Sequence, residues 1–196
     1  MSEPALILAS ASPRRQHLLQ KMGYNYSVDI SHTNESLQKD VTPRENVIQL
    51  AERKAEEVQK RHPHEVILAA DTIVSQNKMP LGKPLDKTDA LRILTQLSGD
   101  SHQVYTGVCI KYVDQLRTFS NKTNVHFHPL SSETIQAYVE TSEPLDKAGA
   151  YGIQDKGGLF VSRIEGDYFN IVGLPMAMVA RALEEFEIYP QWLKKE

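Results

Sequence analysis

The chain has 196 residues, 40% of them hydrophobic and 24% charged, with a formal net charge of −3 at pH 7. This size and balance belong to a globular chain with one sizeable core or two small lobes, and exclude a disordered, collagen-like or coiled-coil protein. The slight negative charge argues against a protein that coats duplex nucleic acid with a broad basic face, while leaving room for a local cluster of cations in a cleft.

In chain order, Met1-Ser2-Glu3-Pro4 lacks the basic start and long apolar run of a signal peptide, and no apolar run approaches the ~20 residues of a membrane span. The expectation is a cytoplasmic protein with no membrane partner. Residues 5–9 form a short apolar run that reads as a strand. Ser12 followed by Pro13 is a helix start, a hydroxyl cap before proline at the first helical position. Leu18, Leu19 and Met22 supply that helix's apolar stripe, and Gly23 is placed to end it. A second strand is expected over 24–30, then a polar stretch containing Asn34-Glu35. The next helix begins near Thr42-Pro43 and carries Val47, Leu50, Ala51, Ala55 and Val58 on one face.

Residues 66–70 read as a buried strand that ends on Asp71-Thr72. Asp86 or Thr88 opens a helix with Leu91, Leu94 and Leu97 inward, and Gly99 closes it. Residues 102–112 and 118–128 read as two long antiparallel neighbours. The single cysteine, Cys109, falls in the apolar run Val108-Cys109-Ile110 and reads as a small core residue; alone, it allows no intramolecular disulfide and no multi-cysteine zinc site. A helix over 131–140, a strand over 159–164 and a final amphipathic helix over 175–186 complete the pattern, with Trp192 as a packing anchor. Strands alternating with helices around a central hairpin imply an α/β protein with a mixed sheet and flanking helices. Ligands of such sheets bind beyond the carboxyl ends of the strands.

Several polar residues fall at such positions. In Ser10-Ala11-Ser12-Pro13-Arg14-Arg15 a strand runs into a helix N-terminus, whose unpaired N–H groups and dipole attract anions. Two hydroxyls and two planar guanidiniums at the same place suit a polyphosphate; a capped helix with a solvated arginine pair is the plain alternative. Asp71 can bind Mg²⁺ or accept a proton from water, or simply cap a turn. Lys54 borders the apolar stripe of its helix and either snorkels from the core or reaches a ligand. Lys83 follows the turn in Leu81-Gly82-Lys83-Pro84. The stretch 143–154 is rich in glycine and carries Lys147 and Gln154; its glycines permit close backbone approach, and the Gln154 amide can both donate and accept, as a nucleobase edge requires. It is not a P-loop. The seven histidines show no metal-ligand spacing.

Together these segments resemble the Maf family of nucleotide pyrophosphatases. The resemblance runs from Leu8-Ala9-Ser10-Ala11-Ser12-Pro13-Arg14-Arg15 through Glu52-Arg53-Lys54-Ala55, Ala70-Asp71-Thr72-Ile73-Val74 and Gly82-Lys83-Pro84. It continues in Leu97-Ser98-Gly99, His102-Gln103-Val104-Tyr105-Thr106-Gly107 and Asp146-Lys147-Ala148-Gly149-Ala150-Tyr151-Gly152-Ile153-Gln154, and ends at Val172-Gly173-Leu174-Pro175. It implies one Maf-like domain over 1–196, an elongated α/β fold with two lobes around a deep cleft, a homodimer, and a divalent metal cation (Mg²⁺, Mn²⁺ or Co²⁺). It further implies that Asp71 is the general base, with Glu35 as partner carboxylate in metal binding and Lys83 in the catalytic set. Ser10, Arg14, Arg15, Lys54 and Lys83 then bind phosphate, and Lys147 joins the substrate-binding residues.

Ser-Pro-Arg-Arg, Asp71-Thr72 and Tyr151-Gly152-Ile153-Gln154 are similar to the dTTP/UTP subgroup, with Arg14, Thr72 and Gln154 as specificity residues. Asp155-Lys156 departs from the glycine common near that point. The alternatives are a nucleotide-binding regulator of cell division with little turnover and the same enzyme class acting on 7-methyl-GTP or ITP. A purely structural domain leaves the clustered cations unexplained.

Overall fold

The computed structural model describes residues 4–38 and 40–193; the Met1-Ser2-Glu3 start read above lies outside them. In chain order it contains β1 (Leu6–Leu8), α1 (Pro13–Lys21), β2 (Ser27–Val28), α2 (Pro43–Gln59), β3 (Val66–Gln76), β4 (Met79–Leu81) and α3 (Lys87–Leu97). There follow β5 (Ser101–Tyr112), β6 (Gln115–Phe127), α4 (Ser132–Glu140), β7 (Val161–Glu165), α5 (Tyr168–Val172) and α6 (Met176–Glu184). The sheet is mixed, as expected, with strand order β2-β1-β3-β5-β6-β7 and β4 paired to β3. The chain divides into two compact units: one takes the chain up to Asp71, Thr106–Asn121 and the segment from Gly173 onward, and the other takes Thr72–Tyr105 and Lys122–Val172.

In the first unit β1 pairs in parallel with β2 and β3, Ile7 opposite both Ser27 and Ile67. Leu6, Ile7 and Leu8 are all buried, the continuous apolar run that a strand covered on both faces requires. Helix α2 starts at a capping box, Thr42 accepting from the Glu45 amide and Glu45 from that of Thr42, with Pro43 next. Its stripe of Val47, Leu50, Ala51, Ala55 and Val58 is buried, and Ala51, Ala55 and Val58 pack with Ile7, Ala9, Ile67, Ala69 and Cys109. Gly107 allows this approach: a Cβ there would sit 2.4 Å from the carbonyl carbon and oxygen of Val47. Burial pushes the Cys109 thiol up to about 12, as suits a core residue and not a nucleophile.

In the second unit α3, capped by Asp86, buries Ala90, Ile93, Leu94 and Leu97. These join Val104, Val125, Phe127, Tyr138, Tyr151 and Phe160 in one core. Edge-to-face rings run through it: Phe127 meets Tyr151 at 4.8 Å and Phe160 at 5.9 Å, and Tyr138 meets Phe160 at 4.8 Å. His102, fully buried, packs edge-on to Phe127 and sets Nε2 2.8 Å from the Tyr151 hydroxyl.

Four expectations change. The strand over 66–70 does not stop at Asp71; it runs to Gln76, because Thr72, Ile73 and Val74 are β-branched and Asn77-Lys78, at positive φ, turns the chain into β4. The strand over 24–30 shrinks to Ser27–Val28, the pair that reaches β1. Residues Lys156–Phe160 form a 3₁₀ turn, so β7 begins only at Val161. Helix α5 was not signalled, since its five residues are too few to show a periodicity.

Desolvation, with the nearby His126 charge, pulls the His102 pKa down to about 4, and Asp100 opposes it. The unfolded chain, with a His near 6.5, therefore binds more protons than the folded one between these values. This contribution to stability is intact above about pH 6.5 and shrinks as the pH falls toward 4, by roughly 3 kcal/mol in all. Urea unfolding at pH 7 and pH 5 should show that decline, and it should flatten in His102→Gln.

Candidate active site

Lys54 is the centre of the site in the first unit. It lies on α2 between Ala51 and Ala55, whose small side chains let its stem run along the buried stripe, and it is itself buried. Its Nζ donates to Asp71 Oδ1 at 2.7 Å and pairs with Glu35 Oε1 at 2.6 Å. The two anions differ in access: the Asp71 side chain is 14% exposed and that of Glu35 62%. Asp71 is held rigidly within β3, and Glu35 arrives on an irregular segment.

The second group is built where β1 runs into α1. Ala9 N donates to Leu68 O at 2.8 Å, extending the parallel pairing and fixing the following Ser10. Ser10 Oγ accepts from the Ser12 amide at 3.2 Å and from Arg15 Nη1 at 3.0 Å, which leaves its own O–H proton to donate. Ser12 is the N-cap, as expected, but its hydroxyl makes no cap bond. The buried Arg15 also donates from Nε to Gly173 O at 2.8 Å. Burial lowers its pKa, an effect opposed by Asp71, reinforced by Arg14 and opposed again by Glu35. Arg15 therefore braces the strand–helix turn and adds charge there, while Arg14, half-buried on the same first turn, is the more open guanidinium.

Ser10, Arg14, Arg15, Glu35, Lys54 and Asp71 thus belong to one unit. Thr72, Lys83, Lys147 and Gln154 belong to the other. There Thr72 is half-buried on β3, and Lys83 and Gln154 are exposed. Lys147 is buried, its Nζ donating to Asp146 Oδ1 at 2.7 Å and to the Glu143 carbonyl at 2.9 Å. Its loop is drawn together by Glu143, which accepts from Tyr138 Oη at 2.8 Å and from Gly157 N at 3.2 Å. Gly149, at φ 74°, lies so close to Val74 that a Cβ would come within 2.9 Å of Cγ1.

Sequence reasoning passed over one network. Glu57 on α2 and Arg61, just beyond its C-terminal end, bind residues 29–33, and His62 sets Nε2 2.8 Å from Asp29. The spacing Arg53-Glu57-Arg61, four residues apart, is the signal that was there to read.

Chemically, an ammonium holds two carboxylate oxygens at one point, beside a helix N-terminus with an arginine pair. Among the described residues no group of three or more His, Cys, Asp or Glu is arranged to hold a metal ion. Glu35 and Asp71 therefore do not make a closed protein cage. They fit a hard cation such as Mg²⁺, which takes one or two carboxylates and completes its shell with water and substrate phosphates.

The sequence profile of the Maf-like protein family matches residues 5–186. The dTTP/UTP pyrophosphatase of Bacillus pumilus is 50% identical over 94% of this chain and 98% of its own. That of Bacillus velezensis is 51% identical over 93% of this chain and 97% of its own. The solved structure of the Staphylococcus aureus Ham1 protein aligns over 92% of this chain and 98% of that one, at 14% identity and a TM-score of 0.48.

Replacing Lys54 by Met should leave two carboxylates facing each other without their shared cation. Because Glu35 can swing into solvent, the expected loss is about 1–2 kcal/mol, below that of a fully buried pair. Urea unfolding of Lys54→Met against the parent chain measures it.

Proposed function

The chain belongs to the Maf family, and from that premise we propose that it is a nucleoside triphosphate pyrophosphatase that cleaves dTTP and UTP to the monophosphate and pyrophosphate. The observation that carries the reading is the meeting of Asp71 and Glu35 at Lys54, in the same unit as Ser10, Arg14 and Arg15. A binder without turnover would gain from losing those carboxylates, which repel phosphates.

In this reading water attacks the α-phosphorus, its proton passes to Asp71, and the α–β bridging bond breaks with its electron pair leaving on pyrophosphate. Lys54 occupies Asp71 Oδ1, so Oδ2 is the oxygen turned to the water. The N-terminus of α1, the Ser10 hydroxyl and Arg14 receive the negative oxygens, with Arg15 fixing the Ser10 Oγ that does so. Lys54 offsets the charge of the carboxylates so that a polyanion is not repelled. Glu35 and Asp71 would hold the divalent cation (Mg²⁺, Mn²⁺ or Co²⁺), which when bound neutralises phosphate charge as it develops.

Lys83 and Lys147 are assigned to the substrate-binding residues in this reading, and Arg14, Thr72 and Gln154 to base selection. The protein works in the cytoplasm as a homodimer of single Maf-like domains, with no membrane or nucleic-acid partner.

Asp71→Asn should fold and bind nucleotide but lose turnover by about 10²–10⁴-fold, the span of a general base; near-parental activity would remove Asp71 from that role. With Mg²⁺ and a panel of dTTP, UTP, CTP, ITP, GTP and 7-methyl-GTP, the parent chain should release pyrophosphate chiefly from dTTP and UTP. Gln154→Ala should shift that preference more than the maximal rate. Turnover of purines alone would keep the enzyme class and discard the assignment of Arg14, Thr72 and Gln154.

A further inference from the structure

Glu35 sits on a segment, 29–38, without regular structure and largely exposed, yet its Oε1 lies 2.6 Å from Lys54 Nζ. What holds it is the edge of α2. Glu57 Oε2 accepts three hydrogen bonds from this segment: Ser31 Oγ at 2.5 Å, the His32 amide at 2.8 Å and Thr33 Oγ1 at 2.9 Å. Its other oxygen, Oε1, takes Arg61 Nη1 at 2.8 Å. Arg61 in turn grips the start of the segment, with Nε 2.7 Å and Nη2 3.1 Å from the two Asp29 oxygens and Nη2 3.0 Å from Ile30 O. Arg53 Nη1 reaches Asn34 O at 3.2 Å, one residue before Glu35. Beyond Glu35 the segment is tied again, Gln38 N donating to Asn46 Oδ1 at 2.9 Å.

We infer that Glu57 is a positioning residue for the reaction: by gathering Ser31, His32 and Thr33 onto α2 it sets where Glu35 meets Lys54. Glu57 lies three residues after Lys54, so one rigid helix carries both the cation that Glu35 pairs with and the carboxylate that aims Glu35. Its donors, Ser31 foremost and then Arg61, hold the carboxyl at about 2, so the acceptor stays charged at any working pH. Groups that orient a metal-binding or reacting carboxylate commonly change activity by 10- to 100-fold when removed, because about an ångström of misplacement is enough. The inference rests on the proposed role of Glu35.

The test compares Glu57→Ala, Glu57→Gln and Glu35→Gln with the parent, reading kcat and KM for dTTP hydrolysis and hydrogen exchange at the His32 amide. Glu57→Ala should lower kcat about 10- to 100-fold with KM changed less than about threefold, and should deprotect His32. Glu57→Gln keeps a carbonyl oxygen for the three loop donors and should recover most of both. Should Glu57→Ala not fold, Ser31→Ala/Thr33→Ala removes two of the donors from the loop side and is expected to give the same kcat loss. If Glu35→Gln has lost turnover while Glu57→Ala, or the loop double variant, stays within twofold of parental kcat, the inference is overturned alone. Full activity in Glu35→Gln overturns the reading of Glu35 and the inference with it.

Discussion

The site depends on one ammonium group. Lys54 Nζ lies within 2.7 Å of carboxylates from two chain segments far apart in sequence, and without it Asp71 and Glu35 would repel each other and any phosphate that approached. A buried lysine is costly unless it is paired, and a pair of carboxylates is costly unless it is neutralised, so each half of the arrangement makes the other tolerable. That mutual dependence ties the placement of all three side chains together.

The rest of the first unit serves to fix that ammonium. The capping box at Thr42 and Glu45 sets where α2 begins, and the apolar stripe fixes its rotation. Gly107 sets its distance from β5, since any larger residue would strike the Val47 carbonyl. Asp71 is fixed in turn by the parallel pairing of β3 with β1, which also delivers Ser10 to the start of α1. Rigid elements therefore hold every group except Glu35, whose loop is aimed by the edge of the same helix.

The second unit uses different means. Its loop 143–157 has no regular strand or α-helix and is shaped by Glu143, by the Tyr138 hydroxyl and by glycines packed where no Cβ fits. Lys147 is committed to Asp146 and the Glu143 carbonyl, which keeps its charge at a set point in the loop. Beneath lies an aromatic core holding a neutral His102, a polar group tolerated because its Nε2 meets the Tyr151 hydroxyl.

The sequence by itself determined the α/β class, the start and buried face of α2, the helix α3 closed by Gly99, the core role of Cys109 and the family. Apolar periodicity, caps and turn residues act within a few neighbours and can be read in one dimension. It misjudged the end of β3 at Asp71, because a strand's length depends on a partner, here β4, that the local pattern does not show. It could name Ser10, Arg15, Glu35, Lys54 and Asp71 but not rank them. Only the tertiary structure decided that Lys54 joins the two carboxylates, that Arg15 braces Ser10 and Gly173, and that Glu57 holds the loop before Glu35. Each is a contact set by distance in space, and a side chain's partners across the fold leave no periodicity in the chain.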